Sequence, residues 1–250
     1  MTPMPTACAV ARAGRRGMPN LTLGDLPMTV SRSSISLFAG LALAGCATPP
    51  QPQNPTSTAA LAVLASEAGV HEKARACQQL GDFGGPEAVP ALARLLSHEV
   101  LADYARSGLE GIADPSAGQA LLQALGTLQG RNLAGVVNSL GVRRERAALP
   151  ELQALALDPK RGVAAEAMAS LGMIGSVEAA RTLQQILKNG PADQRVPAAH
   201  AALVAAEHLV RAKTAAAARD LLNDVVHALP AGHLPAVAQR QLDALKVAKN

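Results

Sequence analysis

Two independent landmarks recur through the middle of this chain at one shared spacing, and that repeat limits the possible folds more than any other feature. The first landmark is an apolar residue near a predicted helix end: Leu80, Leu109, Leu140 and Leu171. Gly follows it at positions 81, 141 and 172, and the intervals are 29, 31 and 31 residues. A small or apolar residue stands four positions earlier each time, at Ala76, Ala105, Val136 and Ala167. The second landmark is Leu92, Leu121, Leu152 and Leu183, with the same three intervals. A unit of about 30 residues with two helical segments cannot bury its apolar face alone, whereas a stack of such units can. The expected fold is all-α: a right-handed α-solenoid of antiparallel helix pairs.

The punctuation fits helical hairpins. Gly84-Gly85-Pro86 separates one pair, with Pro86 suited to a first helical position. Asp114-Pro115 with Ser116 opens a helix, Asp158-Pro159 closes one, and Gly175-Ser176 joins two more. Composition agrees. Ala, Leu and Gly dominate, and β-branched and aromatic strand formers are scarce. The aromatic residues are Phe38, Phe83 and Tyr104 alone, which excludes base-stacking platforms and aromatic cages.

HEKARACQQLGDFGGPEAVPALARLL (71–96) and RGVAAEAMASLGMIGSVEAARTLQQIL (161–187) resemble HEAT repeats, in particular the short HEAT-like repeats also found in bilin lyases. The resemblance covers roughly residues 71–190 and implies a scaffold fold, with the concave surface made by the second helices. It implies no particular chemistry, since function resides in sites placed on folds. The array is assigned to residues 59–190. Beyond it, AAHAALVAAEHLVRAKTAAAARDLL resembles a tetratricopeptide pair. Residues 191–250 therefore read as a C-terminal helical cap, with helices expected at 193–211, 213–228 and 233–248.

The N-terminal part has a different character. From Met28 the chain reads MTVSRSSISLFAGLALAGC, with one positive charge at Arg32 and an apolar run from Ile35 to Ala44. This is the layout of a secretory signal peptide, and the run is shorter than the ~20 residues a spanning helix needs. Leu43-Ala44-Gly45-Cys46 resembles the lipobox of bacterial lipoproteins. That resemblance implies cleavage before Cys46, acylation of Cys46 and membrane anchorage through it. Ala47 implies the outer membrane as destination. Residues 1–45 read as a leader whose true start is Met28 or Met18, and residues 46–58 as the acylated Cys with a Pro-rich tether. A helix is expected from about Thr58 towards Gly69.

The leader also carries most of the net charge. Of the formal +4, residues 1–45 hold +3 through Arg12, Arg15, Arg16 and Arg32 against Asp25. The remaining 205 residues hold 19 basic and 18 acidic side chains. No nucleic-acid partner is expected from so balanced a domain. Removing Cys8 with the leader and acylating Cys46 leaves Cys77, read as a buried core residue that can form no intramolecular disulfide.

Candidate chemistry is sparse. His71-Glu72 and His98-Glu99 prompt comparison with deoxyhypusine hydroxylase, a HEAT-repeat enzyme that binds two irons through four His-Glu pairs. Here two pairs stand at different offsets from their anchors, and Glu207-His208 is reversed. They are read as helix-start surface residues, and no metal site is assigned. Bilin-lyase chemistry would need aromatic contacts that this chain lacks. No activated nucleophile, HExxH, CxxC or P-loop is present. The densest basic cluster is Arg143, Arg144 and Arg146 in an interhelical turn, with Lys160 and Arg161 opening the next unit. Equivalent turns of a solenoid line one edge, so these five residues are the candidate docking ridge for an acidic partner. The expected function is a non-catalytic, cofactor-free scaffold or adaptor in the bacterial envelope, bound to the membrane through Cys46 and to an unidentified envelope protein through the solenoid. The alternatives are an enzyme or cofactor protein on the same scaffold, or a purely structural envelope protein.

Overall fold

A computed structural model of the chain describes residues 54–247, which form twelve α-helices and no strand. Leu43, Ala44, Gly45 and Cys46 lie outside the described residues, as do the leader and most of the tether. The first helix, α1, spans Pro55–Ala65. It starts three residues before the expected Thr58, inside the segment read as tether. Asn54 explains the difference: its side chain accepts the Thr56 N–H at 2.9 Å, and Pro55 fills the first helical position.

The next ten helices form two layers. The first layer is α2 (Val70–Phe83), α4 (Ala102–Gly111), α6 (Gly130–Val142), α8 (Ala164–Ile174) and α10 (Ala192–Arg211). The second is α3 (Val89–Arg94), α5 (Pro115–Ala124), α7 (Leu149–Leu157), α9 (Val177–Asn189) and α11 (Ala215–Ala228). Each first-layer helix packs on the next one in its layer, α1 packs on α2, and α12 (His233–Val247) packs on α11. All eight landmark leucines are wholly buried, so the periodic positions are the core. This is an α-solenoid. Cys77 lies in the same core, and burial pushes its thiol up to about 11.

The caps follow the sequence punctuation. Asp114 accepts the Ser116 N–H at 2.9 Å and opens α5; the Ser176 hydroxyl accepts the Ala179 N–H at 3.1 Å and opens α9. Asp158 ends α7 and accepts the Lys160 N–H at 3.0 Å.

The two layers are held by different means. First-layer backbones nearly touch. A Cβ on Gly81 would meet Gly108 Cα at 3.1 Å, one on Gly141 would meet Ser170 Cα at 2.7 Å, and one on Gly172 would meet Ala201 O at 2.7 Å. This is why the anchor leucines carry a following Gly. Two second-layer contacts add bridges from long polar side chains at the 31-residue spacing to the shared apolar core. Gln153 donates to Thr182 Oγ1 at 2.9 Å, and Gln184 donates to Asp224 at 2.6 Å, joining α7 to α9 and α9 to α11.

The stack runs on past residue 190. α10 lies on α8 as α8 lies on α6, and its Leu209 takes the place of Leu140. Leu209 O accepts the Thr214 N–H at 2.8 Å, as Leu140 O accepts the Glu145 N–H at 2.9 Å.

Candidate functional site

The basic cluster sits where α6 ends. Arg144 adopts φ 52, the left-handed region, and its N–H bonds Gly141 O while the Glu145 N–H reaches Leu140 O. This is a Schellman ending with an arginine at the left-handed position. Residues at the same offset from the anchor in later units are Gly175 (φ 61) and Lys213 (φ 60). The reversal of the chain at Arg144 sends the arginines on either side of it to different tasks.

Arg143 turns back onto the previous unit. Its Nη1 donates to the carbonyls of Leu109 at 2.7 Å, Glu110 at 3.3 Å and Ile112, and its Nη2 to Asp114 O at 3.1 Å. Leu109 and Glu110 are in the last turn of α4, whose carbonyls have no intrahelical partner. A guanidinium there also meets the negative end of the helix dipole. Arg143 occupies the position that Ile112 and Ile174 fill in the neighbouring units. It is a cap on α4.

Arg161 behaves likewise, with Nη2 donating to Leu125 O at 3.3 Å just past the end of α5. Lys160 is exposed in the single 3₁₀ turn Pro159–Arg161 and lines no cavity with the other four. Of the five, Arg144 and Arg146 line one cavity together, while Arg143 and Arg161 turn back onto carbonyls of the preceding units.

Arg144 and Arg146 are brought together with residues the sequence reading did not single out for this edge. They line a cavity of about 390 Å³ with Ile174, Gly175, His208, Arg211 and Ala212. Its walls are the C-terminal ends of α6, α8 and α10 and the 3₁₀ turn Arg146–Ala148. Arg144 Nη2 stands 3.4 Å from His208 Nε2. Gly175 allows this closeness, since a Cβ there would meet His208 Cβ at 2.3 Å. Arg211 lies 3.6 Å from Glu207, with both side chains more than half exposed. Among the described residues neither Arg144 nor Arg146 forms an ion pair within 4 Å, although Glu178 on α9 feels the Arg146 charge.

The electrostatics of His208 follow from this crowding. Burial first, then Arg144 and Arg211, lowers its pKa from 6.5, with Glu207 opposing. The unfolded chain protonates this imidazole more readily than the folded chain, so stability rises with pH through the window below 6.5. The contribution is complete above 6.5 and is lost as pH falls through the lowered value. Wild-type protein is expected to lose denaturation midpoint between pH 7 and pH 5.5 more steeply than His208→Gln; parallel pH profiles would refute this. The hydrogen-bonded carboxylates do not interfere. Asp103, held low first by Arg106, and Asp114, held low first by Ser116, titrate below their ordinary 3.8.

A second polar network, also missed, joins α4 to α6. Arg106 donates to Gly135 O at 3.2 Å and Ser139 Oγ at 3.0 Å, and pairs with Asp103 at 2.8 Å. Ser139 in turn donates to Glu110. The clue available in sequence is Gly135, which leaves the space the guanidinium fills: a Cβ there would meet Arg106 Nε at 2.4 Å.

His98 is a helix-start residue, its Nδ1 accepting the N–H groups of Val100 and Leu101 at 3.1 Å each, just ahead of α4. Among the described residues no three His, Cys, Asp or Glu side chains stand close enough to hold a metal ion. No described helix is long and apolar enough to cross a membrane.

Two family models match this chain. The model for HEAT repeats matches residues 118–204, from within α5 to within α10. The model for the PBS lyase HEAT-like repeat matches residues 73–98, which hold most of α2 and all of α3. No curated protein matches the chain.

Proposed function

We propose that this HEAT-repeat chain is a non-catalytic scaffold or adaptor of the bacterial envelope, anchored by acylated Cys46 and holding a partner protein on its stacked helices. The observation that carries the reading is the coincidence of HEAT-repeat matches at 73–98 and 118–204 with one uninterrupted helical stack. HEAT repeats build scaffolds that mediate protein interactions, and a stack of this kind offers an extended surface rather than a deep reaction chamber. The signal-like layout before Cys46 supports export and lipid anchorage, and Ala47 supports the outer membrane, facing the periplasm. The chemistry needs no cofactor.

Two experiments test the two halves of this proposal. A fatty-acid probe is expected to label the wild-type chain and not Cys46→Ala; equal labelling of both removes the anchor. Tagged full-length protein, extracted in mild detergent, is expected to bring down one envelope protein in near-stoichiometric amount. That partner should be lost from a variant with alanine at Arg94, Gln123 and Arg181, which are exposed on α3, α5 and α9. A clean preparation across several detergents refutes the adaptor role.

A further inference from the structure

We propose that Arg144, Arg146 and Arg211, with His208 as the wall between them, form a binding site for a tetrahedral oxyanion of the phosphate class. Three arginines line one cavity of about 390 Å³ from three separate places: the end of α6, the following 3₁₀ turn and the end of α10. A planar carboxylate offers two oxygens, and a single arginine fork can take both. Three forks carried on three separate elements offer more donors than a carboxylate can take and suit an ion with three outward oxygens. Ile174 and Ala212 supply apolar wall, and the volume lies in the range of small-ligand sites, roughly 300–1,000 Å³.

The backbone points the same way. Arg144 holds a left-handed conformation that favours glycine, and the next unit has Gly175 at the same offset. Within the fold Arg144 receives no carboxylate in return; its side-chain neighbour is His208 Nε2 at 3.4 Å. The opposing charges are identifiable and partial. Glu207 sits beside Arg211 across an exposed 3.6 Å gap, and Glu178 lies towards Arg146 beyond ion-pair distance. The carboxyl ends of α6, α8 and α10 add partial negative charge. At α6 the Leu140 and Gly141 carbonyls are already occupied by the N–H groups of Glu145 and Arg144.

The site makes unusual demands on mutants, and these separate binding from folding. Arg144→Gly removes a ligand while relieving the backbone, so the thermal midpoint is expected to hold or rise as phosphate affinity falls by about tenfold or more. Glu207→Gln removes the competitor for Arg211 and is expected to tighten phosphate binding. The test is calorimetric titration of the full chain with inorganic phosphate at low salt, repeated with both variants. Vesicles containing phosphatidic acid form the second arm. Retention of wild type but not Arg144→Gly on the vesicles identifies a lipid headgroup as the source; phosphate binding without vesicle retention identifies a free phosphate. The proposal is overturned if wild type shows no saturable phosphate binding, if Arg144→Gly binds like wild type, or if acetate or a Glu-rich peptide binds and phosphate does not.

Discussion

Arg143→Ala is expected to destabilise the protein by about 2–4 kcal/mol, far more than an exposed interhelical arginine normally would. The substitution removes one charged donor group shared by four backbone carbonyls: Leu109, Glu110, Ile112 and Asp114. The carbonyls in the last turn of α4 then face a space previously filled by the guanidinium, and the dipole of α4 loses its counter-charge. Lysine should restore the charge but not the fork, recovering only part of the loss. Denaturant midpoints of wild type, Arg143→Ala, Arg143→Lys and Arg144→Ala decide the matter. The adjacent Arg144→Ala is expected to fall well short of the Arg143→Ala loss, because Arg144 has no carbonyl to satisfy. Equal losses at 143 and 144 would show that the capping role is wrong.

Gly172→Val is the second large effect, expected at about 2–3 kcal/mol against stability. A Cβ at this position would stand 2.7 Å from Ala201 O, 3.0 Å from Ala201 Cα and 3.2 Å from Ala201 C. All three atoms are backbone, so no side-chain rotation can relieve the contact, and α8 and α10 must move apart. Local helix propensity pulls the other way, since valine is the better helix former. A net loss therefore isolates the interhelical contact. Gly126→Ala is the control, with its nearest obstacle at an ordinary 3.8 Å, and should be nearly neutral. A neutral Gly172→Val would mean that the first layer has slack that its geometry does not show.

The repeat was legible in sequence because stacking imposes it. A leucine that must reach the core in every unit recurs at every unit, and all eight leucines picked on spacing alone are wholly buried. The glycines after Leu80, Leu140 and Leu171 were visible as part of the anchor. Their reason, the near-contact of adjacent backbones, lies between units and leaves no trace in any one of them. The start of α1 was legible in Asn54-Pro55, a cap followed by a first-turn proline, and composition obscured it by marking the whole stretch as Pro-rich.

The basic site was half legible. Density of charge located Arg143, Arg144 and Arg146 but could not sort them, since their fates depend on one positive φ at Arg144. Arg143 stands at an offset where the flanking units carry isoleucine, Ile112 and Ile174. An arginine in an apolar register was the available sign of a structural role. His208 stands 64 residues beyond Arg144, in a unit whose period had lengthened, and no spacing rule connects them.

The contrast between the layers also has a mechanical consequence. Where α2 meets α4, α6 meets α8 and α8 meets α10 through glycine, serine and alanine, the backbones have no room to approach further, and separating them breaks dispersion contacts between the helices. Where α7, α9 and α11 meet, buried side chains such as Leu152, Leu183, Ile186 and Leu222 share one core, and Gln153 and Gln184 add hydrogen bonds across the outer edge that water can replace. Resistance to bending is therefore expected to be greater at the glycine-lined edge than at the glutamine-linked one.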